Sequence, residues 1–173
     1  MTPPDRPSAA RAAVLAILAG GFVAGTLDIG AAALITSMSP VRILKVVAGG
    51  LLGRIALDGG TGVAALGMAL QWVMSLIIAA VYVVAARRIP RLRVMWVRGG
   101  VAYGVVVFAV MNYVVVPLSA WDRFPRFTTV SYIENMLAMI LFGVIVAWAC
   151  QRFDRARAQV IPGGTTGSPL SRG

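Results

Sequence analysis

The sequence predicts an all-α integral membrane protein, with four transmembrane helices and an amphipathic helix, interfacial or re-entrant, between the first two. Three observations lead there. The chain is 59% hydrophobic and only 13% charged, with a mean hydropathy of +0.84, whereas a water-soluble domain is about half apolar and about a quarter charged. The apolar residues gather into four runs, each long enough to supply the about 20 residues that cross a bilayer. The basic residues gather at the ends of those runs.

The elements follow in order. Residues 1–11, "MTPPDRPSAAR", are polar and proline-rich, which predicts a disordered N-terminus. The first span is Ala12–Ser37. Its start, "DRPSAARAAVLAILAGG", also has the layout of a signal peptide. The apolar character continues through "AAALI", past a typical signal core, and no small-x-small site closes it, so the run is read as a retained span. Cleavage there would leave three spans and reverse the topology.

The segment "SPVRILKVVAGGLLGRIALDGG" predicts a helix over residues 40–57, started by Ser39 and Pro40. Arg42, Lys45, Gly49 and Gly53 fall on one polar or small stripe. Ile43, Leu44, Val47, Leu51, Leu52 and Ile55 cover the other side. Short and charged, it is expected to lie in the outer interface or to dip in and return. The competing reading is a short fifth transmembrane helix. Gly59, Gly60 and Gly62 then turn the chain into the second span, Gly62–Ala86. The third span is Gly99–Leu118 and the fourth is Val130–Cys150, which closes a membrane domain over residues 12–152. Residues 153–173 end in "VIPGGTTGSPLSRG", a composition with nothing to bury, and are expected to form a disordered tail.

Charge sets the orientation. Arg6, Arg11, Arg87, Arg88, Arg91, Arg93, Arg98, Arg152, Arg155, Arg157 and Arg172 fall on one side, 11 of the 16 basic residues. Arg42, Lys45, Arg54, Arg123 and Arg126 fall on the other. The positive-inside rule then puts both termini and the second loop in the cytoplasm. The interfaces take the aromatics: Trp121, Phe124, Phe127 and Tyr132 outside, Tyr82, Trp96, Tyr103 and Trp148 inside. A net charge of +10 placed in this way does not read as nucleic-acid binding, which uses a basic soluble surface with stacking aromatics.

Cys150 is the only cysteine and there is no histidine. Intramolecular disulfides are excluded. The usual imidazole ligands of zinc, copper and haem are missing, as are Ser-His and Cys-His nucleophiles. No cofactor, metal site or catalytic residue is therefore expected, and Cys150 reads as a small apolar residue near a helix end.

Two sets of residues stand out. Gly21 and Gly25 form one GxxxG pair and Gly100 and Gly104 another, while Gly67 shares a face with Ala64, Gln71 and Ser75. Such small residues let transmembrane helices approach closely. Each apolar run also carries one strongly polar side chain: Asp28, Gln71, Asn112 and Glu134. At 1.5 Å per residue all four lie roughly 5–9 Å to the outer side of their run midpoints. Polar groups in hydrocarbon turn inward and find one another, so they form a candidate intramembrane layer. It reads either as a site for a proton, a cation or a polar headgroup, or as interhelical hydrogen bonding with Asp28 or Glu134 neutral or paired to Arg54, Arg123 or Arg126, or with Glu134 snorkelling to the interface.

The segments "GGFVAGTLDIG", "RILKVVAGGLLGRIALDGGTGVAALGMAL", "AAVYVVAARRIP" and "YGVVVFAVMNYVVVPLSA" together resemble an uncharacterised family of bacterial four-span inner-membrane proteins, and more distantly the YagU-type proteins. The resemblance covers residues 15–150, and its most specific piece is Met111–Ala120. It implies the fold and the bacterial cytoplasmic membrane, and no activity. Related chains carry histidine in the second and fourth runs, where this one has Gln71 and "ENMLAM".

Two functional classes follow. One is an accessory or structural membrane protein acting through lipid or through partners, a second copy of itself or another membrane protein. The other is a small transporter or channel subunit that uses the polar layer. An enzyme is the third reading, since two carboxylates could do acid–base work on a lipid headgroup.

Overall fold

A computed structural model of the chain describes residues 9–122 and 128–158. Every regular element among them is helical. They are α1 (Ala9–Thr36), α2 (Pro40–Leu52) continued by a 3₁₀ segment (Gly53–Asp58), α3 (Thr61–Arg88), α4 (Pro90–Val94), α5 (Trp96–Leu118) and α6 (Thr129–Ala158). Helices α1, α3, α5 and α6 are long and apolar enough to cross a membrane. Arg6, Arg123, Phe124, Arg126, Phe127 and Arg172, and most of the two tails expected to be disordered, lie outside the described residues.

Helix ends differ from expectation where local chemistry favours helix. Helix α1 already includes Ala9 and Ala10, the first described residues and good helix formers, ahead of the expected start at Ala12. Helix α6 runs on through residues 153–158, a stretch read from sequence as tail. It is held there by Asp154, whose Oδ2 accepts from Arg93 Nε at 3.0 Å and Nη2 at 2.7 Å. That ion pair ties the short α4 between α3 and α5 to the end of α6.

Small residues set the packing. Helix α1 lies antiparallel along α3 and α6, and α5 lies antiparallel along α6. A Cβ on Gly21 would stand 3.2 Å from Leu76 Cα, and one on Gly25 would strike the Ser75 hydroxyl. A Cβ on Gly100 would stand 2.8 Å from Val144 Cα, and one on Gly143 would strike the Gly100 carbonyl. Gly104 faces the Met139 and Ile140 backbone in the same crossing. Backbones this close leave room for no side chain, which is how helices associate by van der Waals contact. Between them lies a core that includes Ala16, Ala24, Ala79, Tyr82, Phe142 and Val146.

Helices α3 and α5 meet at one end only. Tyr103 donates its hydroxyl to the Ile78 carbonyl at 2.6 Å, and its ring meets that of Tyr82 edge-on at 5.1 Å. Tyr82, expected among the aromatics of the inner interface, is 1% exposed and packs within the bundle. Towards the other end the two helices diverge. Helix α5 changes pitch there, with a π turn over Met111–Val115 in which the Val116 N–H bonds the Met111 carbonyl. Pro117 follows at once. A proline inside a helix has no N–H and its ring crowds the preceding turn, and a widened turn is a common way to absorb it.

Helix α2 leans on α3 at this open end. Ser39 caps it, accepting from the Arg42 N–H at 3.3 Å. Its faces are not those expected. Gly49 is buried, covered by the Trp121 ring, while Leu51 and Ile55 are 62% and 74% exposed. The buried side is Ile43, Leu44, Ala48 and Gly49. Closeness decides this: the Leu44 carbonyl rests where a Cβ on Gly67 would be, so Ala48 and Gly49 turn inward beside Ile43 and Leu44, while Leu51 and Ile55 stay outside. The hook at residues 119–121 completes the latch. The Ala120 N–H bonds the Gly50 carbonyl at 2.8 Å, and the Trp121 indole N–H bonds the Val46 carbonyl at 3.2 Å.

Candidate functional site

The α1–α3 seam carries one polar pair. Going up α1, Gly21 faces Leu76, Gly25 faces Ser75, and one turn further Asp28 faces Gln71. The small residues bring the backbones close enough for the longer pair to meet: Gln71 Nε2 donates to Asp28 Oδ2 at 2.9 Å. On its other side Asp28 borders a shallow crevice against α6, beside Ala138, Leu141 and Phe142. The crevice side of the carboxylate is therefore lined by apolar side chains, and among the described residues the Gln71 amide is its donor.

The other two members of the expected layer stand apart from this pair. Asn112 is 6% exposed, yet its amide donates to the Phe108 carbonyl of its own helix at 2.9 Å. Such back-bonding four residues earlier satisfies the donor without any partner helix. Glu134 is partly exposed on α6. At helical spacing it lies on the same side of α6 as Ala138 and Leu141, one turn beyond the crevice. It joins no hydrogen bond or ion pair among the described residues. So two of the four polar groups are joined, one is satisfied locally, and one lies at the end of the same seam.

A second feature involves none of the expected site residues apart from Gln71. The wedge between the diverging ends of α3 and α5, roofed by α2 and Trp121, encloses a cleft of about 710 Å³. Val47, Met74, Ile77, Met111 and Val115 are among its apolar wall residues, and Arg42, Gln71 and Ser119 are its polar lining side chains besides the Trp121 indole. This is within the range of about 300–1,000 Å³ for small-molecule sites. Gln71 thus has two faces, one turned to the cleft and one engaged with Asp28.

No protein-family model, curated protein or solved structure matches this chain.

Among the described residues no group of three or more Asp, Glu, Cys or His side chains is arranged to hold a metal ion. Cys150 is buried in the core, with its thiol 3.9 Å from Asp154 Oδ2. What the site can do chemically is bind. It offers a long apolar wall, one guanidinium at the rim, and an amide that leads to a carboxylate.

The sequence carried a trace of the cleft. The run "MNYVVVP" places a proline six residues after Met111 in an apolar span, and π turns recur beside functional sites. The divergence of α3 from α5 has no local signal, because it depends on how both helices pack on third elements.

Proposed function

We propose that this chain is a multi-pass protein of the bacterial cytoplasmic membrane, with both termini in the cytoplasm, that works as an accessory membrane protein through lipid rather than by moving a solute. The observation that carries this reading is the contrast between the two features above. Asp28, Gln71 and Asn112 are engaged in one closed pair or within their own helix, and Glu134 stands apart from them, whereas the large cleft is apolar and opens sideways past the half-exposed Val73 and Ile77. A solute path uses convergent, hydrated polar groups; an apolar cleft open to the side suits an acyl chain.

Other observations support the setting. The outer surfaces of the long helices expose Leu15, Leu27, Val73, Val84, Val106 and Leu141, a pattern stable against hydrocarbon and costly in water. Arg11, Arg87, Arg88, Arg91, Arg93, Arg98, Arg152 and Arg155 lie at one end of the bundle, against Arg42, Lys45 and Arg54 at the other. On the positive-inside rule the first end is cytoplasmic, and α2 then lies at the outer interface. The resemblance to four-span inner-membrane proteins agrees with this arrangement.

Reporter fusions check the topology. Fusions after Arg93 and at the C-terminus are expected to report cytoplasm, and a fusion at Asp122 the exterior. An external C-terminus would overturn the orientation or the number of spans.

One observation favours the second reading, a small transporter: Gln71 bridges the cleft to Asp28. Flux decides between them. Proteoliposomes holding the purified chain are expected to pass protons and monovalent cations no faster than protein-free vesicles. A flux that Asp28→Asn abolishes would move the assignment to transport.

A further inference from the structure

We propose that the cleft between α3 and α5 binds an anionic phospholipid of the surrounding bilayer, with an acyl chain along the apolar wall and the phosphate at Arg42. The inference rests on the membrane reading above and adds a ligand class and a site to it.

Charge and saturation of the lining argue for that occupant. Three of the four polar groups around the cleft are already engaged within the protein. The Ser119 hydroxyl donates to the Val116 carbonyl, the Trp121 indole to Val46, and the Gln71 amide to Asp28. Arg42 differs: among the described residues its guanidinium has no ion pair, and the cleft lining contains no carboxylate. A guanidinium presents a planar fork of donors that matches phosphate oxygens. Lys45 and Arg54 lie on the same short segment, with Asp58 as its one acidic residue, so the local field stays positive.

Shape argues for an acyl chain. The wall from Arg42 to Ile77 is aliphatic and methionine-rich, with Met38, Met74 and Met111 among its residues. Methionine side chains are flexible and adapt to irregular apolar guests. The cleft is open on the side where Val73 and Ile77 are half exposed, which is where bilayer chains would stand. Trp121 closes the rim beside Arg42, at the level where indoles commonly meet headgroups. A zwitterionic lipid would leave Arg42 facing a compensated charge.

The test is native mass spectrometry of the detergent-released full chain with equimolar phosphatidylglycerol and phosphatidylcholine of identical acyl chains. The wild type is expected to retain phosphatidylglycerol about fivefold over phosphatidylcholine, the upper size of one exposed charge pair. Arg42→Gln is expected to bring the two to parity, while Arg88→Gln, at the opposite end, keeps the preference. Two variants fill the cleft. In Gly50→Leu the added side chain has room, since a Cβ there meets only Ser119 at 3.8 Å; Val115→Trp fills it from α5. Both are expected to lower retention of both lipids. Parity in the wild type, a preference that survives Arg42→Gln, undiminished binding in both filled variants, or capture of free fatty acid ahead of either phospholipid would each overturn the proposal. A carbonate wash of membranes run alongside separates it from the reading beneath it: release of the wild-type chain would sink the membrane assignment itself, and retention without lipid preference would sink only the lipid site.

Discussion

Replacing Gly143 by leucine is expected to take apart the α5–α6 pair. A Cβ at this position would strike the Gly100 carbonyl and stand 2.7 Å from the Gly104 nitrogen, all backbone. Flexible side chains can yield to an intruder; two helix backbones can separate only as bodies. Overpacking in an adaptable core costs about 1–3 kcal/mol, occasionally more, and this crossing has no adaptable side chain at its centre. The loss should therefore reach or exceed the top of that range, about 3 kcal/mol. Thermal unfolding in detergent should show it as a large drop in midpoint, with aggregation on size exclusion. Gly30→Leu is the control, since a Cβ at Gly30 meets nothing within 4 Å, and it should behave as wild type. A stable Gly143→Leu protein would mean that α5 and α6 do not cross as closely as described.

Gly143 also shows where reading the sequence ran out. The four long helices were legible because run length is a direct consequence of 1.5 Å rise per residue. The inward faces of α1 and α5 were legible because Gly21–Gly25 and Gly100–Gly104 repeat at four residues. Gly143 has no glycine four residues away, but Ala147 completes the same small-xxx-small spacing and lies 3.1 Å from where a Cβ of Gly100 would be. The buried face of α2 was not legible. Residue type groups Arg42, Lys45, Gly49 and Gly53 on one stripe, and nothing in that stripe says that Trp121 covers Gly49. Where the outside is hydrocarbon, as proposed here, Leu51 and Ile55 can face outward and Gly49 inward at no hydrophobic cost. The polar residues were legible as types but not as partners. Asp28 and Gln71 meet because the Gly21 and Gly25 contacts set the α1–α3 register, whereas Asn112 turns to its own Phe108 carbonyl, a choice that run midpoints and depths cannot express.

The Asp28–Gln71 pair is expected to give an ordered series of stabilities. Asp28→Asn keeps an oxygen for Gln71 Nε2, so its unfolding midpoint should stay near wild type. Asp28→Leu leaves the Gln71 amide beside apolar groups, at about 1–3 kcal/mol for a buried unsatisfied group, or nearer 0.6 kcal/mol by the average of membrane-bundle cycles. Gln71→Leu should be worse than either, because it takes from Asp28 its donor among methyl and methylene groups, and a carboxyl without a partner costs more than an amide. The double variant Asp28→Leu/Gln71→Leu should recover much of the loss, since removing both members of a pair strands neither. The order is thus Asp28→Asn, the double variant, Asp28→Leu, Gln71→Leu, read as unfolding midpoints under one detergent condition. The order matters more than the size, because detergent changes every magnitude and leaves the logic of the pair intact. If Gln71→Leu proves milder than Asp28→Leu, the carboxylate must reach water without Gln71. The α1–α6 crevice would then be a hydrated path toward Glu134 rather than a packed seam, and solute movement would become the better account of why two carboxylates are kept in this bundle.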